Sequence, residues 1–213
     1  MPQSTQSDAI ISAATTEHFV MQGAIGAAVS EQQARASMYL YSLSGALVAF
    51  GFMAGSPYLL MFVATVLPTL FLVGLLTTLR LVDISMESLQ SFVTVARIRN
   101  FYRTLGTPAK ALFDKAHGRW PEGKTDSGQI IGPVLGLMTT AASMICCVNA
   151  FVGGAGVALL LVHSSGVQLV VAIGIGMVFV LLQIASFYRY QKQRITLVEK
   201  FAESAGLHPG DEG

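Results

Sequence analysis

The sequence predicts an all-α integral membrane protein: two transmembrane helical hairpins with cytoplasmic helical extensions. Three observations carry this. Of the 213 residues, 53% are hydrophobic and only 12% are charged, against roughly 25% charged in an ordinary soluble domain. The apolar residues gather into four runs free of Asp, Glu, Lys and Arg, each about the 20 residues or more that a helix needs to cross the hydrocarbon core. All 13 Lys and Arg residues fall on one side of those runs.

Residues 1–35 read as a cytoplasmic N-terminal amphipathic helix. They lack the basic start and apolar core of a secretory signal. Ser7 or Asp8 can cap a helix, and Ile11, Ala14, His18, Met21, Ile25 and Ala28 then recur at spacings of three and four. Gly23 and Gly26 dilute that stripe. It suits packing against the chain's own helices, or a self-association or membrane-surface face.

Residues 36–79 read as the first transmembrane hairpin, with spans at 36–54 and 58–79. The turn Gly55-Ser56-Pro57 is too short to hold a domain. Residues 80–131 read as a cytoplasmic helix and loop. Val82, Met86, Leu89, Val93 and Ala96 alternate at four and three, and nothing breaks the chain between this segment and the second span. One continuous helix leaving the membrane follows, stopped by Gly106, Thr107 and Pro108. A short helix and a loop around Trp120-Pro121-Glu122-Gly123 come next.

Residues 132–187 read as the second hairpin, with spans at 134–162 and 167–187. The third span is longer than one crossing needs, so it tilts, or Gly153-Gly154 breaks it. Residues 188–213 read as a cytoplasmic C-terminal helix and tail. Tyr188 and Tyr190 with Arg189, Lys192 and Arg194 make an interfacial ending. The helix then continues through Ile195, Val198, Phe201 and Ala202 until Gly206 and Pro209. Its apolar face is expected to pack on the helix at 81–105, because neither is polar enough to stand alone in water.

The turns at 55–57 and 163–166 contain no Lys or Arg. The positive-inside rule therefore puts both termini and the central loop in the cytoplasm. A nearly bare outer face argues against an extracellular receptor.

Two stretches carry a resemblance. Leu76-Thr77-Thr78-Leu79-Arg80 runs into Val95-Ala96-Arg97-Ile98-Arg99-Asn100-Phe101-Tyr102, and later Met138-Thr139-Thr140-Ala141-Ala142-Ser143-Met144 is followed by Val148-Asn149-Ala150. These resemble a group of bacterial four-transmembrane-helix inner-membrane proteins without known activity. The resemblance implies a bacterial inner membrane and nothing catalytic.

Several chemistries are excluded. Cys146 and Cys147 are adjacent inside an apolar run, without metal-type or redox-type spacing, and read as small buried hydrophobes. His18, His117, His163 and His208 are scattered, so no metal site is expected. No phosphate loop or nucleophile elbow is present, and no catalytic residue or cofactor is expected. Asp83 and Glu87 share a helix face and read as solvated, paired to Arg189 or Lys192. Spans without ionisable groups argue against proton-coupled transport and intramembrane catalysis. Gly51-xxx-Gly55, Gly132-xxx-Gly136, Gly174 and Gly176 allow close helix packing.

Two candidate sites remain. Arg97, Arg99 and Arg103 with Phe101 and Tyr102 form the densest polar cluster. Pairing with Glu199 or Glu203, binding of anionic headgroups and binding of an anionic ligand stay open for it. One such cluster in a neutral chain does not indicate nucleic acid. The second candidate is an intramembrane polar contact of Asn149 with Pro68 and Ala64. Pro68 lacks an N–H and displaces the Ala64 carbonyl from its helical partner. That carbonyl must be satisfied inside the membrane, and Asn149 is expected to donate to it. The alternative is a bond within its own helix or to another subunit.

The functional expectation is a small non-enzymatic scaffold or accessory protein, self-associating, whose partners are membrane lipid and further copies of the chain. The alternatives are an oligomeric channel or membrane-permeabilising effector gated by its cytoplasmic helices, and a lipid or small apolar-molecule carrier.

Overall fold

The computed structural model describes residues 2–113, 121 and 133–204. Among them there are six helices and no strand: α1 (Pro2–Met53), α2 (Leu59–Arg103), α3 (Thr107–Leu112), α4 (Pro133–Met138), α5 (Ala141–Ser165) and α6 (Leu169–Ser204). Four of these, α1, α2, α5 and α6, are long and apolar enough to cross a membrane.

The N-terminal segment and the first span are one helix, not two. No Pro or Gly lies between Ala27 and Ser44, so nothing stops the ladder near Arg35. The glycines at 23 and 26 cost about 1 kcal/mol each relative to Ala and do not interrupt it. α1 ends at a turn where Gly55 has φ 120° and Ser56 Oγ accepts from the Tyr58 N–H at 3.2 Å. The expected continuous helix from the second span into residues 81–103 is present as α2, with Pro68 inside it. Gly106, at φ 134°, closes that run. Pro108 does not terminate anything; it sits in the first turn of α3, where its missing N–H is harmless. Of the expected loop at Trp120–Gly123, all but Pro121 lies outside the described residues.

The third span differs from expectation. Gly153 and Gly154 lie inside regular helix, and the break falls at Thr139 and Thr140, between α4 and α5. Thr140 Oγ1 accepts from the Ser143 N–H at 3.3 Å, and Ser143 Oγ donates to the Leu137 carbonyl at 2.6 Å. These side chains offer the backbone partners that compete with the helical ladder, and Thr140 caps α5.

The chain forms two compact units: Met1–Glu31 with Ile84–Pro133 and Arg194–Gly213, and Gln32–Asp83 with Val134–Gln193. In the first, the α1 stripe of Ile11, Ala14, His18, Met21, Ile25 and Ala28 is the half-buried set, with the residues between them exposed. Thr15 Oγ1 and Tyr102 Oη lie 3.2 Å apart in a hydrogen bond. Val93 and Ala96 of α2 cluster with Ala202 of α6, and Val198 is buried too. Phe201, expected on that face, is 43% exposed, since one residue along a helix turns about 100° away from its neighbour.

In the second unit, α2 and α5 pass each other in opposite directions. Gly74 meets Asn149, and Phe71 meets Gly153. Burial is uneven along this pair. The buried residues of α5 run from Ala142 to Gly154. None lies in 155–165. On α2, nothing in 59–69 is buried, while Leu70, Gly74, Thr78, Leu81 and Val82 are.

Candidate functional site

Asn149 is the central polar residue of the second unit, and its side chain is fully buried. Its partner is not the Ala64 carbonyl. The hydroxyl of Tyr39, from α1, donates to Asn149 Oδ1 at 3.2 Å, and Tyr39 is itself only 1% exposed. Gly74 makes the approach possible. A Cβ there would overlap the Asn149 carboxamide and come within 2.7 Å of Tyr39 Cε2. The contact therefore joins α1, α2 and α5 at one point. Asn149 Nδ2 has no partner among the described residues. Pro68 and Ala64 are both exposed residues of α2, and the sequence-derived pairing with Asn149 is not formed.

A second polar node clamps the break between α4 and α5. Gln191 of α6 donates through Nε2 to Thr140 Oγ1 at 3.0 Å, and its Oε1, 3.1 Å from Ser143 Oγ, shares that hydroxyl's one proton with the Leu137 carbonyl. Ser143 and Gln191 are both buried. The hydrogen bonds of the node run between hydroxyl and carboxamide groups. They tie α6 to the break between α4 and α5.

Glycine contact joins α5 to α6 nearby. A Cβ at Gly154 would lie 2.8 Å from the Gly176 carbonyl oxygen, and one at Gly176 would lie 2.5 Å from that of Gly154. Within the chain the Gly51 and Gly55 pair packs against no helix, since a Cβ at either meets nothing within 4 Å, as at Gly174. Gly132 lies outside the described residues.

Beyond these contacts α2 and α5 leave a cavity of about 350 Å³ between them. It runs from Leu60 to Phe71 on α2 and from Val152 to His163 on α5, with Phe179 of α6 at its inner end. Ala64 and Pro68 line it. Phe71 and Phe179 close the inner end with ring centroids 6.0 Å apart.

The basic cluster belongs to the first unit. Arg97 is exposed and Arg99 half-buried. Arg103 Nε donates to the Phe113 carbonyl at 2.5 Å, and its Nη1 to Asn100 Oδ1 at 3.4 Å. The Tyr102 ring packs 5.0 Å from that of Phe113. Tyr102 and Arg103 thus hold the end of α3, and Tyr102 also holds α1 through Thr15.

Cys146 is buried and Cys147 half-buried, both as free thiols. Among the described residues no group of three or more His, Cys, Asp or Glu side chains could hold a metal ion. Tyr39, Gly74, Thr140, Ser143 and Gln191 were not singled out by sequence as site residues. Tyr39 reads there as one more apolar residue of a span, and Gln191 as part of an interfacial ending. No protein family, curated protein or solved structure matches the chain.

Proposed function

We propose that this chain is a multi-pass protein of the bacterial inner membrane that acts as a non-enzymatic scaffold and associates with copies of itself. Four spans form two hairpins, with residues 1–35, 80–131 and 188–213 in the cytoplasm. The observation that carries this reading is the continuity of α1, α2 and α6. Each runs without interruption from a charge-free apolar run into a segment holding the chain's charges.

The surface supports it. Large apolar side chains such as Phe52, Leu76, Val170 and Leu181 are exposed along these helices, a surface suited to lipid or protein and not to water. The positive-inside asymmetry supports the orientation. The span window of α1 is 6% buried, against 28% for α5, so α1 has the most surface free for a second copy. Gly45 and Gly51 on α1 meet nothing in their own chain, and small residues let a neighbouring helix come close.

Two measurements test the proposal. Fluorescent-protein and phosphatase fusions at Met1, Lys115 and Gly213 are expected to fluoresce and to lack phosphatase activity. Phosphatase activity at any of them overturns the orientation. Cysteine placed at Gly45 or Gly51 of the full chain is expected to form disulfide-linked dimers in native membranes. A chain that stays monomeric under oxidation removes the self-association, and discrete conductance steps in planar bilayers would replace the scaffold with a channel.

A further inference from the structure

We infer that the groove between α2 and α5 is a binding site for a single acyl chain of a membrane lipid, entered from the end where Leu60 and His163 lie. The inference rests on the reading of these helices as membrane spans and goes beyond the scaffold role.

The dimensions select the ligand. Eleven residues separate Leu60 from Phe71, and eleven separate Val152 from His163. At 1.5 Å per residue the groove is ~16 Å long, about half of the ~30 Å hydrocarbon core and so one leaflet deep. Spread over that length, a volume of about 350 Å³ describes a narrow channel, and a single column of methylene groups follows it, its carbons ~4 Å from their neighbours. The volume also falls at the small end of ligand pockets, about 300–1,000 Å³.

The lining agrees. His163 is the one ionisable side chain in it. It sits in the last turn of α5, at the groove's mouth, where the lipid's ester and phosphate oxygens lie. An imidazole N–H can donate to either. The inner end is stopped by Phe71 and Phe179, held against Gly153, where a Cβ would lie 2.6 Å from Phe71 Cε2 and 2.8 Å from Phe179 Cε1. Midway, Gly156 keeps the wall open, since a Cβ there meets nothing within 4 Å. The groove is thus blocked at one end, open along its length and polar only at its mouth.

The full chain in nanodiscs of phosphatidylethanolamine and phosphatidylglycerol, doped with a phosphatidylglycerol carrying a diazirine in one acyl chain, tests this. After illumination, adducts are expected in excess on 60–71 and 152–163 over the exposed α6 residues Val170 and Val178. Excess unlabelled phosphatidylglycerol should compete the groove adducts away and leave those on α6. Gly156→Phe, which fills the groove, should abolish the excess while the α6 adducts persist. Equal labelling of groove and α6, groove labelling that does not compete, or groove labelling that survives Gly156→Phe overturns the site. A crosslink from a diazirine amino acid at position 156 to a second copy overturns it in favour of a protein occupant. No label on α6 or the groove overturns the spans themselves.

Discussion

The two ends of the α2–α5 pair use glycine in opposite ways. At Gly74 the helices touch: the Asn149 side chain lies against the glycine backbone, and Tyr39 reaches in from α1 to bond it. At Gly156 the helices stand apart, and a cavity of about 350 Å³ opens between them. Both glycines lie in apolar helix, and what stands opposite each one decides its effect. Lipid tails are as apolar as the side chains, so helices in a membrane gain little from hiding apolar surface from one another. They associate through close packing and interhelical hydrogen bonds. The Gly74 end has both. Among the described residues the Gly156 end shows neither, and the cavity lies there.

The largest change should come from breaking the closed end. Gly74→Val places two methyl groups where the Asn149 carboxamide and the Tyr39 ring already lie. Overpacking of this kind costs ~1–3 kcal/mol, and the upper part of that range is expected, since three helices meet there. Thermal unfolding in detergent reads it. Adding Asn149→Ala should recover part of the loss, because it empties the space the valine needs; neighbouring changes of this sort are not additive. A Gly74→Val chain as stable as the parent would mean that the end is not closed.

A smaller contrast separates the two glycines that flank the cavity. Gly153→Ala pushes a methyl group against Phe71 and Phe179, and a loss of about 1 kcal/mol is expected, limited because the rings can swing toward the cavity. Gly156→Ala meets nothing and should gain up to about 1 kcal/mol from helix propensity alone. Opposite signs at residues three apart on one helix would sharpen the comparison. Equal losses at both would show that the outer end is packed as tightly as the inner one.

Much of the scaffold was legible because helix periodicity and the absence of breakers are local. The run through residue 80 has no stop signal, and α2 passes straight through. Of its apolar stripe, Val82, Met86, Val93 and Ala96 are buried and Leu89 is half-buried. The α1 stripe was legible for the same reason. The break at Thr139 and Thr140 was not. It depends on Gln191, 51 residues from Thr140, and a polar pair in an apolar run does not announce which helix will secure it. The small-residue signal at Gly51 and Gly55 finds no neighbour within the chain, because glycine spacing says that a helix can come close, not which helix does. The basic cluster was legible as a group, but Arg103 and Tyr102 turn to Phe113 and Thr15, and sequence distance alone did not reveal those contacts.

The smallest effect tests why the partner of Asn149 was misplaced. Taken over residues 134–162, the apolar run has its centre near Asn149, level with Pro68 in the second span. The run is two helices, however. α5 begins at Ala141 and ends at Ser165, so its centre is Gly153, and it is Gly153 that meets Phe71, three residues from Pro68. Asn149 lies one turn further in, level with Gly74 and within reach of Tyr39. A double-mutant cycle of Tyr39→Phe and Asn149→Leu should therefore show coupling of about 0.6 kcal/mol, the average for interhelical hydrogen bonds in a membrane. The cycle of Asn149→Leu with Pro68→Ala should be additive within ~0.5 kcal/mol, as for residues that share no partner. Unfolding of the full chain in bicelles or mild detergent resolves both. The reverse pattern, coupling to Pro68 and none to Tyr39, would slide α5 along α2 by more than a turn. Gly74 would then lose its reason to be a glycine, and the closed and open ends would no longer differ.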